Sequence, residues 1–233
     1  MIIVGHRGIA GRFPENTKAS ILAAIELGLE WVEVDIQPTK DGELVVCHDH
    51  KIDRCSNGKG RVDSFTLDQL REFDFGSWFS PEFKSESILT LGELLSLAKL
   101  HRLKLNLEVK IDQHNVQQVC GLVKECLLKN NANRNDIVLS SFSPDIIREL
   151  HRILPEYNLG VLSDRLTSKV KQLLDEVSAI SCNLNYLRTN KKHIELLQAD
   201  GYQVWCYTVN NPNRLKYLPG LDAIFSDYPE RFL

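Results

Sequence analysis

The sequence predicts an α/β protein of the (β/α)8 barrel class. Strand-like and helix-like segments alternate along almost the whole chain, and eight of the strand-like segments fit barrel strands. The chain has 233 residues, close to the roughly 250 residues of a typical barrel. The alternative is a doubly wound open sheet, but no glycine-rich dinucleotide loop follows the first strand-like segment.

The first strand-like segment is the apolar run at residues 2–4, which breaks into Gly5, His6, Arg7 and Gly8. A parallel strand buried on both faces has such a continuous apolar run, and the carboxyl ends of strands carry the chemistry in α/β folds. We therefore expect His6 and Arg7 at the mouth of the barrel. The alternative is a core histidine on a turn, which the adjacent Arg7 and the close backbone approach that Gly8 allows make less favourable.

Two later segments, residues 31–38 and 103–110, alternate strictly between apolar and polar residues. In a barrel the outward face of each strand is covered by helices and must be apolar, whereas the inward face can become polar near the catalytic end. The polar side chains should therefore point into the barrel. They are Glu33, Asp35, Gln37, Lys104, Asn106, Glu108 and Lys110.

The other elements follow in order within one domain, residues 1–233. A helical spacing of apolar residues runs from Ala19 to Leu29, and a return strand at 43–47 ends in His48. Residues from about 51 to 88 are rich in turns and aromatics, which predicts a small inserted subdomain after the second barrel strand. The remaining helices are expected at about 91–100, 114–129, 144–151, 167–175, 190–199 and 212–217, and the remaining strands at about 137–142, 158–162, 178–183, 203–209 and 223–226.

Three of the inward carboxylates, Glu33, Asp35 and Glu108, should lie close together because neighbouring strands are ~4.8 Å apart. Crowded carboxylates repel one another, which raises their pKa values, and a divalent cation removes the repulsion. A ligand set of oxygens alone favours Mg²⁺ or Ca²⁺ over zinc. The sequence therefore predicts a metal site, the alternative being ordinary charges solvated at the mouth.

Two histidines and two cations surround this predicted metal site. Because histidine titrates near neutral pH, His6 and His48 can serve as one general acid and one general base. Arg7 and Lys110 place positive charge beside the carboxylates, which is expected if an anionic substrate bridges them to the metal. Phosphate is such an anion, since arginine contacts it as a fork and lysine as a point charge. The pattern indicates metal-assisted phosphoryl chemistry.

A series of short motifs runs through the chain. In order they are His6-Arg7-Gly8, Pro14-Glu15-Asn16-Thr17, Glu33-x-Asp35, Asp41-Gly42, His48-Asp49, Asp53-Arg54, Asn57-Gly58-x-Gly60, Gly76-x-Trp78-Phe79, Glu108-x-Lys110, Thr208-Val209-Asn210 and Asp227-x-Pro229. The series resembles that of the glycerophosphodiester phosphodiesterases of the bacterial, cytosolic type. The resemblance implies hydrolysis of glycerophosphodiesters to glycerol 3-phosphate and an alcohol.

The resemblance also implies roles for individual residues. The residues that match the family's metal ligands are Glu33, Asp35 and Glu108; those that match its acid/base pair are His6 and His48; and those that match its phosphate contacts are Arg7 and Lys110. The aromatic residue before Thr208 is most familiarly tryptophan, and here it is Tyr207. Trp205 lies two residues earlier on the same strand face, so either ring is a candidate to bind substrate. Leu89 replaces a usual proline and Ser226 a usual threonine, which affects substrate contacts rather than the catalytic set.

Two rival functions stay open at this point. One is phospholipase D-type hydrolysis of lysolipids or sphingolipids on the same barrel, which the polar, turn-rich insertion disfavours. The other is a catalytically inactive module that binds a phosphodiester or a protein partner, which the complete set of histidines and carboxylates disfavours. The sequence leaves open the headgroup alcohol, the choice between Mg²⁺ and Ca²⁺, which histidine is the acid, and the oligomeric state.

Bulk properties exclude other classes of partner. A net charge of −3 argues against nucleic acid or an anionic membrane. No apolar run approaches the ~20 residues of a membrane span, so stable membrane insertion is not expected. The six cysteines form no C-x-x-C pair, and no signal-peptide pattern precedes the first strand. We therefore expect a cytoplasmic protein with reduced thiols and a small-molecule substrate.

Overall fold

Eight parallel strands close into a barrel in the computed structural model, which describes residues 1–233. Strand β1 (Ile2–His6) pairs with β2 (Trp31–Pro38) on one side and with β9 (Ala223–Ser226) on the other, which closes the ring. The strands between them are β4 (Lys104–Val109), β5 (Ile137–Ser141), β6 (Asn158–Ser163), β7 (Ser181–Asn185) and β8 (Gln203–Tyr207). The predicted (β/α)8, or TIM, barrel is confirmed.

Helices lie between successive strands and cover the outside of the barrel. They are α1 (Lys18–Glu26), α3 (Leu91–His101), α4 (Val116–Lys129), α5 (Pro144–Ile153), α6 (Ser168–Glu176) and α7 (Lys191–Ala199), and the short α2 (Leu67–Leu70) belongs to the insertion. Each begins at a Ser, Thr or Asn whose side chain accepts a hydrogen bond from a backbone N–H of the first turn. Such a cap stabilises a helix by about 1 kcal/mol and fixes where each loop of the mouth ends.

Burial follows the alternation in the sequence. The outward residues of β2, Val32, Val34 and Ile36, are fully buried in a core of 46 residues between the barrel and its helices. Inside the barrel, a separate apolar cluster occupies the amino-terminal end of the strands. Its members are Val4, Trp31, Val138, Trp205, Ala223 and Phe225. The carboxyl-terminal end of the interior is left to polar side chains.

The insertion has a hydrophobic core of its own. Strand β3 (Leu44–Val46) pairs antiparallel with the end of β2 and leads through the loop of His48 and Asp49 into the predicted insertion, about 51–88, which contains α2 and two 3-10 helices. Seven buried residues form its core: Val45, Cys47, Ile52, Val62, Leu70, Phe75 and Ile88. The segment is therefore a small subdomain beside the carboxyl end of β2, as predicted.

Some predicted boundaries are wrong by a few residues. Strand β7 begins at Ser181 rather than 178, because Ser178 adopts a left-handed conformation (φ 48°) in the turn that leaves α6. The predicted helix at 212–217 is a 3-10 helix. All six cysteines are free thiols. None of the helices combines the length and apolar character that a membrane span needs.

Candidate active site

Three carboxylates meet at the carboxyl-terminal end of the barrel interior. Asp35 of β2 is in register with Glu108 of β4, and Glu33 lies two residues before Asp35 on the same strand face. One oxygen of each carboxylate lies within 4.8 Å of an oxygen of the other two. Glu33 is 4% exposed and Asp35 is 1% exposed. Strand register thus creates a buried acidic cluster, as the alternation predicted.

The electrostatics of this cluster fit a cation. Burial, followed by the charge of Asp35, raises the pKa of Glu33 to about 8. The same two causes raise the pKa of Glu108. Glu33 Oε1 and Asp35 Oδ1 are buried and have no hydrogen-bond partner. Unpartnered carboxylate oxygens that converge within this distance are the donor set of a hard divalent cation.

Arg7 and Lys110 lie against the carboxylates. Lys110 Nζ is 2.7 Å from Glu108 Oε1 and 3.4 Å from Asp35 Oδ1, and Arg7 Nε is 3.3 Å from Asp35 Oδ2. Burial alone would raise the pKa of Asp35, but these two cations outweigh it and lower the pKa to about 2. The cluster therefore contains both charged and partly protonated carboxyl groups in a small volume.

A left-handed turn after β1 aims Arg7 at the cluster. Arg7 has φ 52° and Gly8 has φ 86°, and the Arg7 backbone N–H donates to Glu33 Oε2 at 3.1 Å. A Cβ atom at Gly8 would lie 2.3 Å from Ser20 Oγ, so only glycine fits where this turn packs against α1. The His-Arg-Gly sequence thus sets the path of the backbone as well as the two side chains.

Each of the two predicted catalytic histidines has a carboxylate at its Nδ1 atom. His6 Nδ1 is 2.6 Å from Asp227 Oδ1, and His48 Nδ1 is 2.6 Å from Asp49 Oδ1. Asn210 Nδ2 donates to Asp227 Oδ2 at 2.7 Å and holds that carboxylate in place. With Nδ1 engaged, Nε2 is the nitrogen left for acid–base chemistry in both rings.

The environments of the two histidines differ. Burial lowers the pKa of His6, but the hydrogen bond to Asp227 and the charge of Glu33 outweigh it, so the pKa is raised overall. Burial also lowers the pKa of His48, and there the opposing charge of Asp35 does not compensate. The surroundings of His6 therefore favour the protonated ring more than those of His48 do.

A cavity of about 170 Å³ joins these groups. Its polar lining includes His6, Arg7, Glu33, His48 and Glu108, and its apolar lining consists of Phe142, Leu162, Tyr207 and Phe225. The rings of Phe142 and Tyr207 contact each other edge to face, with centroids 5.7 Å apart. A larger groove of about 990 Å³ lies outside the barrel beside α3 and α4 and contains none of these residues.

The structure brings together every predicted site residue except Trp205. That side chain is 1% exposed, packs against Trp31 and Phe225, and donates its Nε1 hydrogen to Gln203. Trp205 and Tyr207 share the inward face of β8, but two residues along a strand span about 6.6 Å. Only Tyr207 reaches the cavity, so we withdraw Trp205 as a substrate contact.

Several residues at the site were not assigned a role from the sequence. Asp49, Asp227 and Asn210 orient the histidines, and Phe142 and Leu162 complete the apolar lining. Asp49 and Asp227 could have been found, because both belong to the motif series: Asp49 directly follows His48, and Asp227 directly follows β9. Phe142 had a weaker signal, its place directly after the end of β5.

The closed barrel, with histidines, carboxylates, an arginine and a lysine gathered at its mouth, places this chain among the TIM-barrel proteins that have a polar site at the carboxyl ends of the strands. Residues 6–231 match the model of the glycerophosphoryl diester phosphodiesterase family, and the chain belongs to that family.

Known proteins of this family resemble the chain over nearly its full length. A glycerophosphodiester phosphodiesterase of Bacillus altitudinis is 30% identical over 98% of this chain and 95% of its own. One from Caldanaerobacter subterraneus is 29% identical over 100% of this chain and 96% of its own. The structure of an Oleispira antarctica phosphodiesterase in complex with the product sn-glycerol-3-phosphate superposes with a TM-score of 0.94, at 30% identity, over 99% of this chain and 94% of that one.

Proposed function

We propose that this protein hydrolyses glycerophosphodiesters to glycerol 3-phosphate and an alcohol. The observation that carries the proposal is the cavity in which His6 and His48 lie beside the side chain of Arg7 and the cluster of Glu33, Asp35 and Glu108. Family membership supports the same substrate class, as does the product bound to the Oleispira antarctica relative. The size of the cavity suits a small polar ester better than a lipid with its acyl chain.

The cation site would consist of Glu33, Asp35 and Glu108, and Mg²⁺ or Ca²⁺ fits its oxygen ligands. A bound ion would polarise the phosphodiester and lower the pKa of the attacking hydroxyl. The protein's own residues neutralise the substrate as well. Arg7 lines the cavity, where its guanidinium can contact a phosphate oxygen, and Lys110 adds a second positive charge beside the same carboxylates.

The two histidines would move the protons. One Nε2 atom accepts the proton of the attacking hydroxyl, and the other donates a proton to the leaving alkoxide. Asp227 and Asp49 keep the Nδ1 proton of each ring engaged, so that each imidazole is held in one orientation and one tautomer. The apolar lining of Phe142, Leu162 and Tyr207 would contact the carbon atoms of the substrate.

The attacking group in this proposal is the 2-hydroxyl of the glycerol. It is tethered within reach of phosphorus, and such tethering gives effective molarities of about 10⁵–10⁸ M. The new O2–P bond forms as the bond to the alcohol breaks, and water then opens the cyclic phosphate to glycerol 3-phosphate. An analogue that lacks only the 2-hydroxyl should be cleaved extremely slowly. Its cleavage at a near-normal kcat would instead identify water as the attacker.

The decisive experiment is an assay of the purified protein on a panel of glycerophosphodiesters, with and without Mg²⁺ or Ca²⁺, with detection of glycerol 3-phosphate. The panel includes a lysophospholipid with the same headgroup. Metal-dependent release of glycerol 3-phosphate supports the proposal. Faster cleavage of the lysophospholipid would favour a phospholipase D-type activity, and binding without turnover would favour an inactive module.

A further inference from the structure

An arginine of the insertion contacts two carboxylates that belong to two different loops of the barrel mouth. Arg54 Nη1 and Nη2 lie 2.8 and 2.7 Å from the two oxygens of Glu15, in a fork-like arrangement. Arg54 Nε lies 2.7 Å from Asp49 Oδ2, and Nη2 lies 3.2 Å from Asp49 Oδ1. We call these three residues the Arg54 clamp. Paired, planar contacts of this kind fix direction as well as distance.

Each carboxylate of the clamp also contacts a residue of the candidate active site. Asp49 Oδ1 is 2.6 Å from His48 Nδ1. Glu15 Oε1 accepts a hydrogen bond from Arg7 Nη1 at 2.7 Å. A single side chain of the insertion therefore lies directly behind both a catalytic histidine and a phosphate-binding arginine.

The charges of the clamp affect how strongly Arg7 can attract an anionic substrate. The Glu15 side chain is only 11% exposed, and its carboxylate is shared between Arg7 and Arg54. Burial alone would raise the pKa of Glu15, but the hydrogen bond from Arg54 and the charge of Arg7 outweigh it and lower the pKa. Without Arg54, the whole negative charge of Glu15 would act on Arg7. The positive charge of Arg7 would then be less available to an anionic substrate.

The clamp is itself held by the aromatic residues of the insertion. The Arg54 guanidinium lies over the ring of Trp78, 6.0 Å from its centroid, and Trp78 Nε1 donates to the Phe75 carbonyl at 2.9 Å. Trp78 contacts Phe79 edge to face. From Phe79 the aromatic contacts continue through Phe83 to Phe13, in the loop after β1. The insertion thus holds Arg54 from one side while the barrel loops hold it from the other.

We propose that Arg54 is a positioning residue that orients His48 through Asp49 and adjusts the charge of Arg7 through Glu15. The inserted subdomain thereby determines the geometry of the barrel mouth. The kinetic part of this inference rests on the proposed function, whereas the effect on the His48 ring does not. Because Arg54 is 45% exposed, its ion pairs contribute little to overall stability, and its removal should affect the site rather than the fold.

The kinetic test compares Arg54→Ala with Arg61→Ala. Arg61 is a matched control, because it also belongs to the insertion and also pairs with two carboxylates, Asp63 and Asp112, none of which contacts His48 or Arg7. Arg54→Ala should lower kcat about 10–100-fold, a typical loss when a group that orients a ligand or base is removed. It should also raise KM, whereas Arg61→Ala should leave both near wild type.

Two further measurements distinguish a positioning role of Arg54 from a general loss of folded structure. Free guanidinium should restore part of the activity of Arg54→Ala, because the position is open to solvent. Arg54→Lys retains the charge but not the fork, so it should keep KM near wild type and recover only part of kcat. Arg54→Lys also keeps the test decisive if Arg54→Ala does not fold. Equal losses in Arg54→Ala and Arg61→Ala, or wild-type kinetics in Arg54→Ala, would overturn the inference.

A readout without substrate tests the orientation of the histidine directly. The nitrogen chemical shifts of the His48 ring, assigned with a His48→Asn variant, should show the proton on Nδ1 in the wild type and a shift of the proton toward Nε2 in Arg54→Ala. An unchanged tautomer would contradict the inference. A changed tautomer in a protein that cleaves no glycerophosphodiester would uphold the clamp and reject the proposed function.

Discussion

Two layers of side chains fill the interior of this barrel, and they differ in almost every physical property. The layer toward the amino ends of the strands is mostly apolar, with Trp205 touching both Trp31 and Phe225, and its buried polar members include Asn183, which is in register with Trp205. The layer toward the carboxyl ends is ionic and contains unpartnered oxygens on Glu33 and Asp35. The same strands supply both layers, since Trp31 and Glu33 are only two residues apart. Height along the strand thus separates the part that stabilises the protein from the part that acts on a substrate.

The largest expected effect comes from removing the cation that we propose for the ionic layer. A strong chelator should abolish turnover, and Mg²⁺ or Ca²⁺ should restore it, because Glu33, Asp35 and Glu108 then lose the charge that holds them together. Release of glycerol 3-phosphate is the measurement. Full activity in chelator, or rescue by zinc alone, would show that the acidic cluster is not a site for a hard cation.

Removal of either His6 or His48 should cause the next largest loss of activity. His6→Ala and His48→Ala should each lower kcat by about 10²–10⁴-fold while leaving the unfolding midpoint nearly unchanged. His50→Ala is the control, since that ring bonds to Gln37 and does not line the cavity. A comparable loss at His50 would mean that the acid/base pair has been assigned wrongly.

The apolar layer should respond in the opposite way. Trp205→Ala removes a fully buried ring and should cost about 3–5 kcal/mol of unfolding free energy, measured by denaturant titration. KM for the substrate should stay close to wild type in the folded fraction. Tyr207→Ala is the matched change one layer higher, and we expect it to raise KM with a smaller loss of stability. The reverse pattern would place the substrate deeper in the barrel than Tyr207.

The smallest expected effect is a gain in stability. Glu33→Gln removes a crowded carboxylate and should raise the unfolding midpoint of the metal-free protein by about 2–4 °C, which corresponds to about 1 kcal/mol in a chain of this size. The same variant should lose activity. A lower midpoint would show that Glu33 stabilises the mouth even without a cation.

The same carboxylate predicts a pH dependence for the metal-free protein. The pKa of Glu33 is raised from 4.5 to about 8 in the folded state, so the folded protein binds a proton more tightly than the unfolded chain does. The stability from this proton is fully present below pH 4.5 and is lost as the pH rises through about 8. This contribution makes the unfolding midpoint of the wild type lower at pH 9 than at pH 6. Glu33→Gln should reduce that difference, because glutamine does not titrate.

Periodicity in the sequence was enough to predict the fold and the inward direction of the acidic residues. Strict alternation in residues 31–38 identified the face of the strand on which Glu33 and Asp35 lie, and the structure has the same arrangement. Alternation gives the face of a residue but not its height in the barrel. Trp205 and Tyr207 are equivalent by that criterion, and only the packing of the interior distinguishes them.

Partners distant in sequence could not be predicted in the same way. Asp227 contacts His6 across 221 positions, and Arg54 contacts Glu15 across 39. Such contacts depend on how loops meet after the barrel has closed, which no local pattern encodes. The motifs around these residues are visible in the sequence, but their roles depend on contacts that form only in the folded chain.

The contact between His6 and Asp227 determines when, during translation, the His6 ring can be oriented. Because His6 precedes Asp227 by 221 residues, β1 finds its neighbour β9, and His6 its carboxylate, only after residue 227 has emerged from the ribosome. A nascent chain that ends before this point lacks both the last strand and the group that orients the ring. The oriented His6 ring can therefore form only after Asp227 has emerged, and we expect chains that stop before Asp227 to lack activity toward phosphodiesters.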